Sequence, residues 1–232
     1  MRRCLKNIVI CFFIVLFSFG LAACAAKEIF EYSKANISEI RTNLFIGKTE
    51  NAIVTFTSGY REEEYLIDGK STENVPFGVI TAIILNDNKF NITKNFVATI
   101  NGNNYQGEFE INPYDNSLVY DIQESIEDWA IISVSIILDE LYETINLENI
   151  SSSWNMTSLD ALEIACENFK SELKKYVKEN MFNMEVYIKI LFDFENLDNP
   201  YFWLVSFVGT DNKDISIVLD INSGEILSKK IV

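Results

Sequence analysis

The strongest constraint on the fold is a series of short β-branched and aromatic runs, separated by turn residues, from about residue 37 to residue 145. AIVTFTSG (52–59) alternates apolar and polar side chains, which is the period of a strand with one buried face. VPFGVITAIIL (75–85) is more continuously apolar and is predicted to be a central strand. Runs of this kind with turn signals every 8–12 residues predict an antiparallel β-sandwich over residues 37–146, with an immunoglobulin-like arrangement as one form.

Two parts of this region carry more local information. KNFVATING (94–102) and NYQGEFEIN (104–112) flank Asn101-Gly102-Asn103, whose residue types supply the positive φ angles of a tight hairpin turn. SLVYDI (117–122) is a further predicted strand. WAIISVSIIL (129–138) is another candidate strand, and a helix over WAIISVSIILDELYETI (129–145) is the alternative, because a short apolar run does not separate the two.

The composition changes at NLENISSSWNMTS (146–158), which is polar, poor in β-forming residues and predicted to be a linker. Thr157 followed by Asp160 resembles the start of a helix with a capping box. Apolar residues then recur every three or four positions, which places them on one helical face: Leu159, Leu162, Cys166, Phe169, Leu173 and Tyr176.

Strand-like runs follow this helix: EVYIKILFDF (185–194), YFWLVSFV (201–208) and DISIVLDI (214–221). Asn222-Ser223-Gly224 then turns the chain into EILSKKIV (225–232). A helix followed by an antiparallel meander predicts an α+β unit over residues 157–232. The fold class is therefore mainly β plus α+β.

This last unit resembles the PepSY family. The resemblance rests on DALEIACENF, then YFWLVSF, then IVLDINSGEIL, in which residues 220 to 226 match the pattern D-x-x-[ST]-G-[EK]-[IVL]. PepSY-like modules occur in secreted or membrane-attached bacterial proteins and are associated with peptidase propeptides and the regulation of extracellular activity. The resemblance implies a binding or regulatory module and supplies no catalytic residues.

The N-terminus carries a targeting signal. Arg2, Arg3 and Lys6 precede an apolar run of 13 residues, 8–20, which is shorter than the ~20 residues that span a bilayer. A basic start, a short apolar middle and small residues at the exit predict a secretory signal peptide over residues 1–23.

The exit of this signal, Leu21-Ala22-Ala23-Cys24, resembles the lipobox of bacterial lipoproteins. The resemblance implies cleavage before Cys24, lipidation of the Cys24 thiol with fatty acyl chains such as palmitate, and a lipid-anchored tether over residues 24–36. The mature protein is then expected on the extracytoplasmic face of the bacterial cell membrane. The alternative is an ordinary secretory signal with a cysteine there by chance.

Composition excludes several functions. The whole chain has a formal charge of −15, and loss of the three basic residues in 1–23 leaves 16 basic and 34 acidic residues, or −18. Such a charge repels nucleic acid phosphates. No histidine is present, which removes the commonest zinc ligand and general base. Cys166 is the only cysteine beyond the lipobox, so no intramolecular disulfide is expected.

Candidate sites are few, and no cofactor is implied. Cys166 lies on the apolar helix face and is interpreted as a core residue. Glu62, Glu63 and Glu64 are interpreted as a solvated turn between strands. Two further acidic clusters lack the spacing of a calcium loop, so no metal site is predicted: Asp193, Glu195 and Asp198, and Asp211 with Asp214. Trp203 is expected to pack against the helix, while Tyr201 or Phe202 on the opposite face is predicted to form an exposed binding patch.

The sequence therefore predicts a membrane-anchored, non-catalytic lipoprotein that binds or regulates a protein or peptide partner. One alternative is a lipoprotein that binds a small molecule or a cation as the accessory of a transporter. Another is a hydrolase that uses two carboxylates from distant parts of the chain, although no catalytic motif points to it.

Overall fold

The computed structural model describes residues 28–63, 71–85, 95–113, 116–122, 132–138, 141–179, 181–192, 201–211 and 213–232. Within them the protein is mainly β, with few helices and one large sheet in which antiparallel pairing dominates. The predicted fold class is confirmed at this level.

The first unit contains a helical segment and a set of strands. Residues 28–34 form helix α1. The strands are β1 (Ile37–Lys48), β2 (Ala52–Glu62), β3 (Asn74–Ile84), β4 (Asn95–Ile100), β5 (Asn103–Glu108), β6 (Glu110–Ile111), β7 (Leu118–Ile122), β8 (Ile132–Leu138) and β9 (Leu141–Asn149).

The second unit begins after a short 3-10 turn at Ser151–Ser153. Its elements are α2 (Ser158–Asn168), α3 (Lys170–Leu173), a 3-10 turn (Lys174–Tyr176), β10 (Val177–Lys178), β11 (Met181–Phe182), β12 (Met184–Phe192), β13 (Tyr201–Gly209), β14 (Asp214–Asp220) and β15 (Ile226–Ile231).

The strands of the first unit enclose one hydrophobic core. One layer has the order β6-β7-β3-β2-β1, and a second has the order β5-β4-β8-β9, with β9 paired to the end of β1. The chain passes from the second layer to the first between β5 and β6. The single residue between these strands is Phe109, which is 2% exposed. Its ring lies 4.6 Å from that of Phe96.

Local sequence explains the hairpin and the interior strand. Asn101 and Gly102 have φ angles of 52° and 80°, the two positive values that a type I′ turn requires between β4 and β5. β3 pairs with β2 along its whole length and with β7 on its other edge, so the prediction of a central strand is confirmed.

In the second unit, helices cover one face of the antiparallel meander β12-β13-β14-β15. Thr157 caps α2, and both hydrogen bonds of the capping box with Asp160 are present. The recurring apolar residues predict one helix as far as Tyr176, but α2 ends at Asn168. Phe169 interrupts it, because its φ of −109° lies outside the helical range. Trp203 is 1% exposed and lies in the core beneath the helices, as predicted.

The structure resolves one open sequence interpretation and differs from two others. Residues 132–138 and 141–149 are strands, which resolves the ambiguity over 129–145 for the described residues. Residues 146–149 were predicted as linker but complete β9, because Glu148 and Asn149 pair with β1. Residues 28–36 were predicted as tether but contain α1, whose Ile29 is 3% exposed in the core of the second unit.

The two units share one sheet through β1. One edge of β1 pairs with β2 along most of its length. The other edge pairs in parallel with β12 between Ile37 and Ile40, and then in antiparallel with β9 at Phe45 and Ile46. A register shift between Arg41 and Asn43 accompanies this change of partner.

Candidate functional site

A groove of about 380 Å³ lies where β12 separates from β1. The ladder between these strands ends with Ile40 opposite Ile188, and β12 continues as far as Phe192. Its last three residues border the groove, whose floor is the outer face of β2, β3 and β7.

The register of the sheet brings the floor residues together. Thr57 is opposite both Leu44 and Val79, and Thr81 is opposite both Thr55 and Val119. These side chains point away from the first core because their sequence neighbours fill it. The polar lining is Arg41, Thr55, Thr57, Thr81, Asn112 and Ser117. The apolar lining is Leu44, Val79, Val119, Ile190, Leu191 and Phe192.

Arg41 is the charged residue of this lining. Its Nε donates a hydrogen bond of 2.8 Å to Glu39 Oε1, and its Nη1 donates one of 3.4 Å to Thr57 Oγ1. The guanidinium carbon lies 5.7 Å from the centre of the Phe77 ring. Two of the five N–H donors of an arginine are used in this way.

Gly59 lets the strands approach closely beside Arg41. It is opposite Arg41 on β1 and Phe77 on β3. A Cβ atom at Gly59 would lie 1.9 Å from the carbonyl oxygen of Ile40, a distance at which no side chain fits. Glycine is therefore required here by the backbone of β1.

Glu39 joins Arg41 to β12. Its side chain is 6% exposed, and Oε2 lies 3.0 Å from Lys189 Nζ. Burial alone raises the pKa of Glu39, but the charges and hydrogen bonds of Arg41 and Lys189 outweigh burial and hold its pKa below the usual value. Glu39 is thus an anion between two cations, and the group of three has a formal charge of +1.

The groove is positive in a strongly acidic chain. None of its described lining residues is Asp or Glu, whereas the whole chain has a formal charge of −15. Its hydroxyl groups, one amide and one guanidinium can orient a ligand, and its aliphatic residues and Phe192 can bury the ligand's apolar part. A few convergent polar groups on an apolar wall are typical of binding sites.

The two aromatic residues predicted as a binding patch lie on different faces of β13. Tyr201 packs on the helix side with Trp203, so its assignment to the opposite face was wrong, because residues two apart on a strand share a face. Its ring lies 6.0 Å from Trp154 and 5.2 Å from Phe192, and burial raises its pKa to about 12. Phe202 lies on the opposite face, and both are half-buried.

The acidic clusters have structural surroundings. Glu62 was predicted in a solvated turn but ends β2 and is 2% exposed, and its Oε2 accepts a hydrogen bond from Thr72 N. Asp211 Oδ2 accepts a hydrogen bond of 3.3 Å from the Tyr176 hydroxyl. Among the described residues, no three His, Cys, Asp or Glu side chains converge to hold a metal ion. Glu64, Asp193, Glu195 and Asp198 lie outside the described residues.

Cys166 is a buried core residue, as predicted. It is 0% exposed, and burial, with a smaller effect of the charges of Glu163 and Glu167, raises its pKa to about 12. The thiol is therefore protonated at neutral pH and does not provide a thiolate nucleophile.

The groove residues were not identified from the sequence. The alternation in AIVTFTSG places Thr55 and Thr57 on the polar face of a strand, which is a usable signal. Arg41 carries no motif, and its position depends on the register shift in β1 and on the pairing with β12, between residues about 150 positions apart.

The predicted lipidation site, Cys24 with Leu21, Ala22 and Ala23, lies outside the described residues. In the part of the chain that the structure does describe, no helix is long and apolar enough to cross a membrane. Comparisons of this chain with protein-family models, with curated proteins and with solved structures found no match.

Proposed function

We propose that this chain is a membrane-anchored extracytoplasmic protein that binds a peptide or protein partner and catalyses no reaction of its own. The groove beside Arg41 is the observation that carries the proposal, because it combines a cation, several hydroxyl groups and apolar walls. A pocket of about 380 Å³ falls at the lower end of the range that ligands occupy. The groove would receive a short segment of the partner.

The proposed anchor is Cys24, on the strength of the lipobox-like exit of the apolar run. Because α1 is docked through Ile29, only residues 24–27 would separate the lipid from the folded protein. A chain extends by at most about 3.6 Å per residue, so the start of α1 would lie within ~14 Å of the anchored residue. This distance favours a partner in or beside the membrane.

The proposal includes two finer statements about the fold. The two layers around one core support a β-sandwich for the first unit, although no cysteine pair supports a true immunoglobulin domain. The order of α2 and the four-stranded meander supports a PepSY-like second unit. The turn after β14 supports it too: the carboxylate of Asp220 accepts hydrogen bonds from Asn222 N and Ser223 N, and Gly224 has a φ of 71°.

Photo-crosslinking in cells tests binding at the groove. A benzoylphenylalanine replaces Leu191, which is 37% exposed at the rim, in the full-length membrane-bound chain. The matched control replaces Leu85, which is 42% exposed and does not line the groove. We expect a discrete adduct from position 191 and none from position 85. Equal labelling from both positions, or none from either, would contradict the proposal.

The anchor has a separate test. Growth with an alkyne-tagged palmitate should label the full-length chain, and Cys24→Ser should abolish the label and release the protein from the membrane fraction. A labelled or membrane-bound Cys24→Ser variant would show that the anchor lies elsewhere.

A small solute is the second candidate ligand, because a volume of about 380 Å³ falls within the range of small-molecule sites. A ligand that binds only the folded protein raises its melting temperature by mass action. A melting-temperature increase with free small solutes, and no adduct from position 191, would favour this function over partner binding.

A further inference from the structure

We propose that the groove binds the carboxyl-terminal end of an extended apolar peptide, with the α-carboxylate on the guanidinium of Arg41. This inference rests on the proposed function and specifies its ligand. It follows from the charge at one end of the groove, from the strand edge along its side, and from the apolar wall.

The charge selects an anion. Glu39 is shared by Arg41 and Lys189, so it does not neutralise both cations. Arg41 keeps three N–H donors beyond those given to Glu39 and Thr57, and a guanidinium presents its donors in a fork that matches a carboxylate. No described lining residue is acidic. The carboxylate that Arg41 already binds, Glu39, is buried and is also bound by Lys189, which offsets its repulsion of a ligand carboxylate.

The strand edge selects a peptide. Ile190 and Leu191 pair with β13 on one side, and no other described strand pairs with them beyond the point where β1 ends its ladder. An extended peptide can add to an open sheet edge through its own backbone groups. A strand placed beside these residues would run along the groove, with one end near Arg41.

The apolar wall selects the side chains. Val79 and Val119 on the floor and Leu191 and Phe192 on the side are aliphatic or aromatic. Burying apolar surface stabilises a complex by about 25 cal/mol per Å². Because side chains alternate along a strand, every second residue of the peptide would contact this wall.

Two matched peptide pools provide the test, with the full chain purified in detergent. One pool contains N-acetylated tetrapeptides of Val, Leu, Ala and Phe with a free carboxylate, and the other contains the same peptides as amides. N-acetylvaline serves as a single-residue carboxylate. We expect the acids to raise the melting temperature and to bind at least tenfold more tightly than the amides and than N-acetylvaline.

Variants locate the carboxylate. Arg41→Gln should reduce acid binding at least tenfold and the weak amide binding by a much smaller factor. Arg61→Gln is the matched control: Arg61 lies 4.7 Å from the Phe77 ring and pairs with Asp121, but it does not line the groove. Thr57→Val, which removes a groove hydroxyl without changing charge, should weaken acid binding by a smaller factor.

The outcomes separate this inference from the proposed function. Equal binding of acids and amides would overturn the carboxylate site and leave peptide binding intact. Equal binding of N-acetylvaline and the tetrapeptides would overturn the strand pairing. If Arg41→Gln does not fold, the comparison of acids with amides on the unmodified chain and on Thr57→Val still decides. Binding of neither pool, together with no adduct from position 191, would contradict both proposals.

Discussion

Glu39, Arg41 and Lys189 form a group of charges at the junction between β1 and β12, in which Glu39 is buried and the two cations are partly exposed. Opposite charges that are shielded from water attract each other strongly. Removal of one partner leaves the charge of the others without an opposite charge beside it. Glu39 is held by both cations at once, so it is the member whose loss matters most. The group orients Arg41 towards the groove and ties the two units together.

Glu39→Gln should therefore be destabilising in a pH-dependent way. Because the pKa of Glu39 is lowered on folding, its carboxylate contributes stability above about pH 4.5, and this contribution disappears as the pH falls through the lower folded value. At pH 7 we expect a loss of about 3 kcal/mol in the free energy of unfolding by urea. The difference from the unmodified chain should shrink as the pH is lowered.

Glu63 supplies the control for this experiment, since it is exposed. Glu63→Gln should change the free energy of unfolding by less than about 0.5 kcal/mol. A Glu39→Gln variant whose stability at pH 7 matched that of the control would mean that these ion pairs do not hold the junction.

Gly59→Ala tests the close approach of β1 and β2. The new Cβ would lie 1.9 Å from Ile40 O and 2.9 Å from Arg41 Cα, both backbone atoms, so the strands must separate. We expect a loss of about 3 kcal/mol or more in urea unfolding. Gly102→Ala is the comparison: Gly102 has a φ of +80° and no atom within 4 Å, so only backbone strain of about 1 kcal/mol is added there. Equal effects would show that crowding at Gly59 is relieved without cost.

At the scale of elements, turns and helix caps that depend on neighbouring residues were predictable from the sequence. The pairing of strands that lie far apart along the chain was not. The turn at Asn101 and Gly102 and the cap at Thr157 follow from local side-chain chemistry, and both are confirmed. The register shift in β1, the end of β9 and the docking of α1 depend on partners far along the chain. A polar stretch such as residues 146–149 pairs as a strand because β1 offers it an edge.

The groove was unpredictable for the same reason. Its floor is made of outward side chains from several strands, and a shift of one residue in any register would replace them with core residues. Single positions such as Thr57 were readable as outward, while their convergence with Arg41 and Leu191 was not.

The last strand, β15, lies at an edge of the sheet, and its protection against pairing with another molecule can be tested. It pairs with β14 and with no other described strand, and Ile226, Leu227 and Ile231 are 37%, 49% and 55% exposed. Lysine on an edge strand opposes pairing with another molecule. Lys230, opposite Ser216, lies on the face away from the helices and is exposed.

Lys230→Ile should therefore promote self-association. In analytical ultracentrifugation of the detergent-solubilised chain, we expect a concentration-dependent shift to larger species relative to the unmodified protein. Lys174→Ile, at an exposed position in a 3-10 turn, makes the same change away from the edge. If both variants sediment like the unmodified chain, Lys230 does not protect this edge.

At the scale of the whole molecule, β1 belongs to both halves. It contributes Phe45 to the first core and Ile37 and Leu44 to the second, while α1 adds Ile29 to the second. The second core is therefore built from both ends of the described chain. The change in composition near residue 150 predicts a boundary between two units. The packing of the second unit nevertheless depends on residues before residue 45.

This dependence predicts that residues 157–232 do not fold alone. The fragment lacks Ile29, Ile37 and Leu44, whose exposures in the intact protein are 3%, 7% and 2%. Burying one such side chain contributes about 1.5–3 kcal/mol, so their combined loss approaches the ~5–15 kcal/mol that stabilises a typical domain. The edge of β12 that pairs with β1 would also be left open.

The measurement is the amide spectrum of the fragment by NMR, followed by titration with a synthetic peptide of residues 28–48. We expect poorly dispersed signals from the fragment alone and a dispersed spectrum once the peptide supplies α1 and β1 in trans. A peptide with Ile37→Asp and Leu44→Asp should not restore the spectrum, because a charge at either position would be buried without a partner. A fragment that is well dispersed and unfolds cooperatively without the peptide would show that the helices and the meander form a core of their own. The sharing of β1 would then join two independent domains rather than complete one of them.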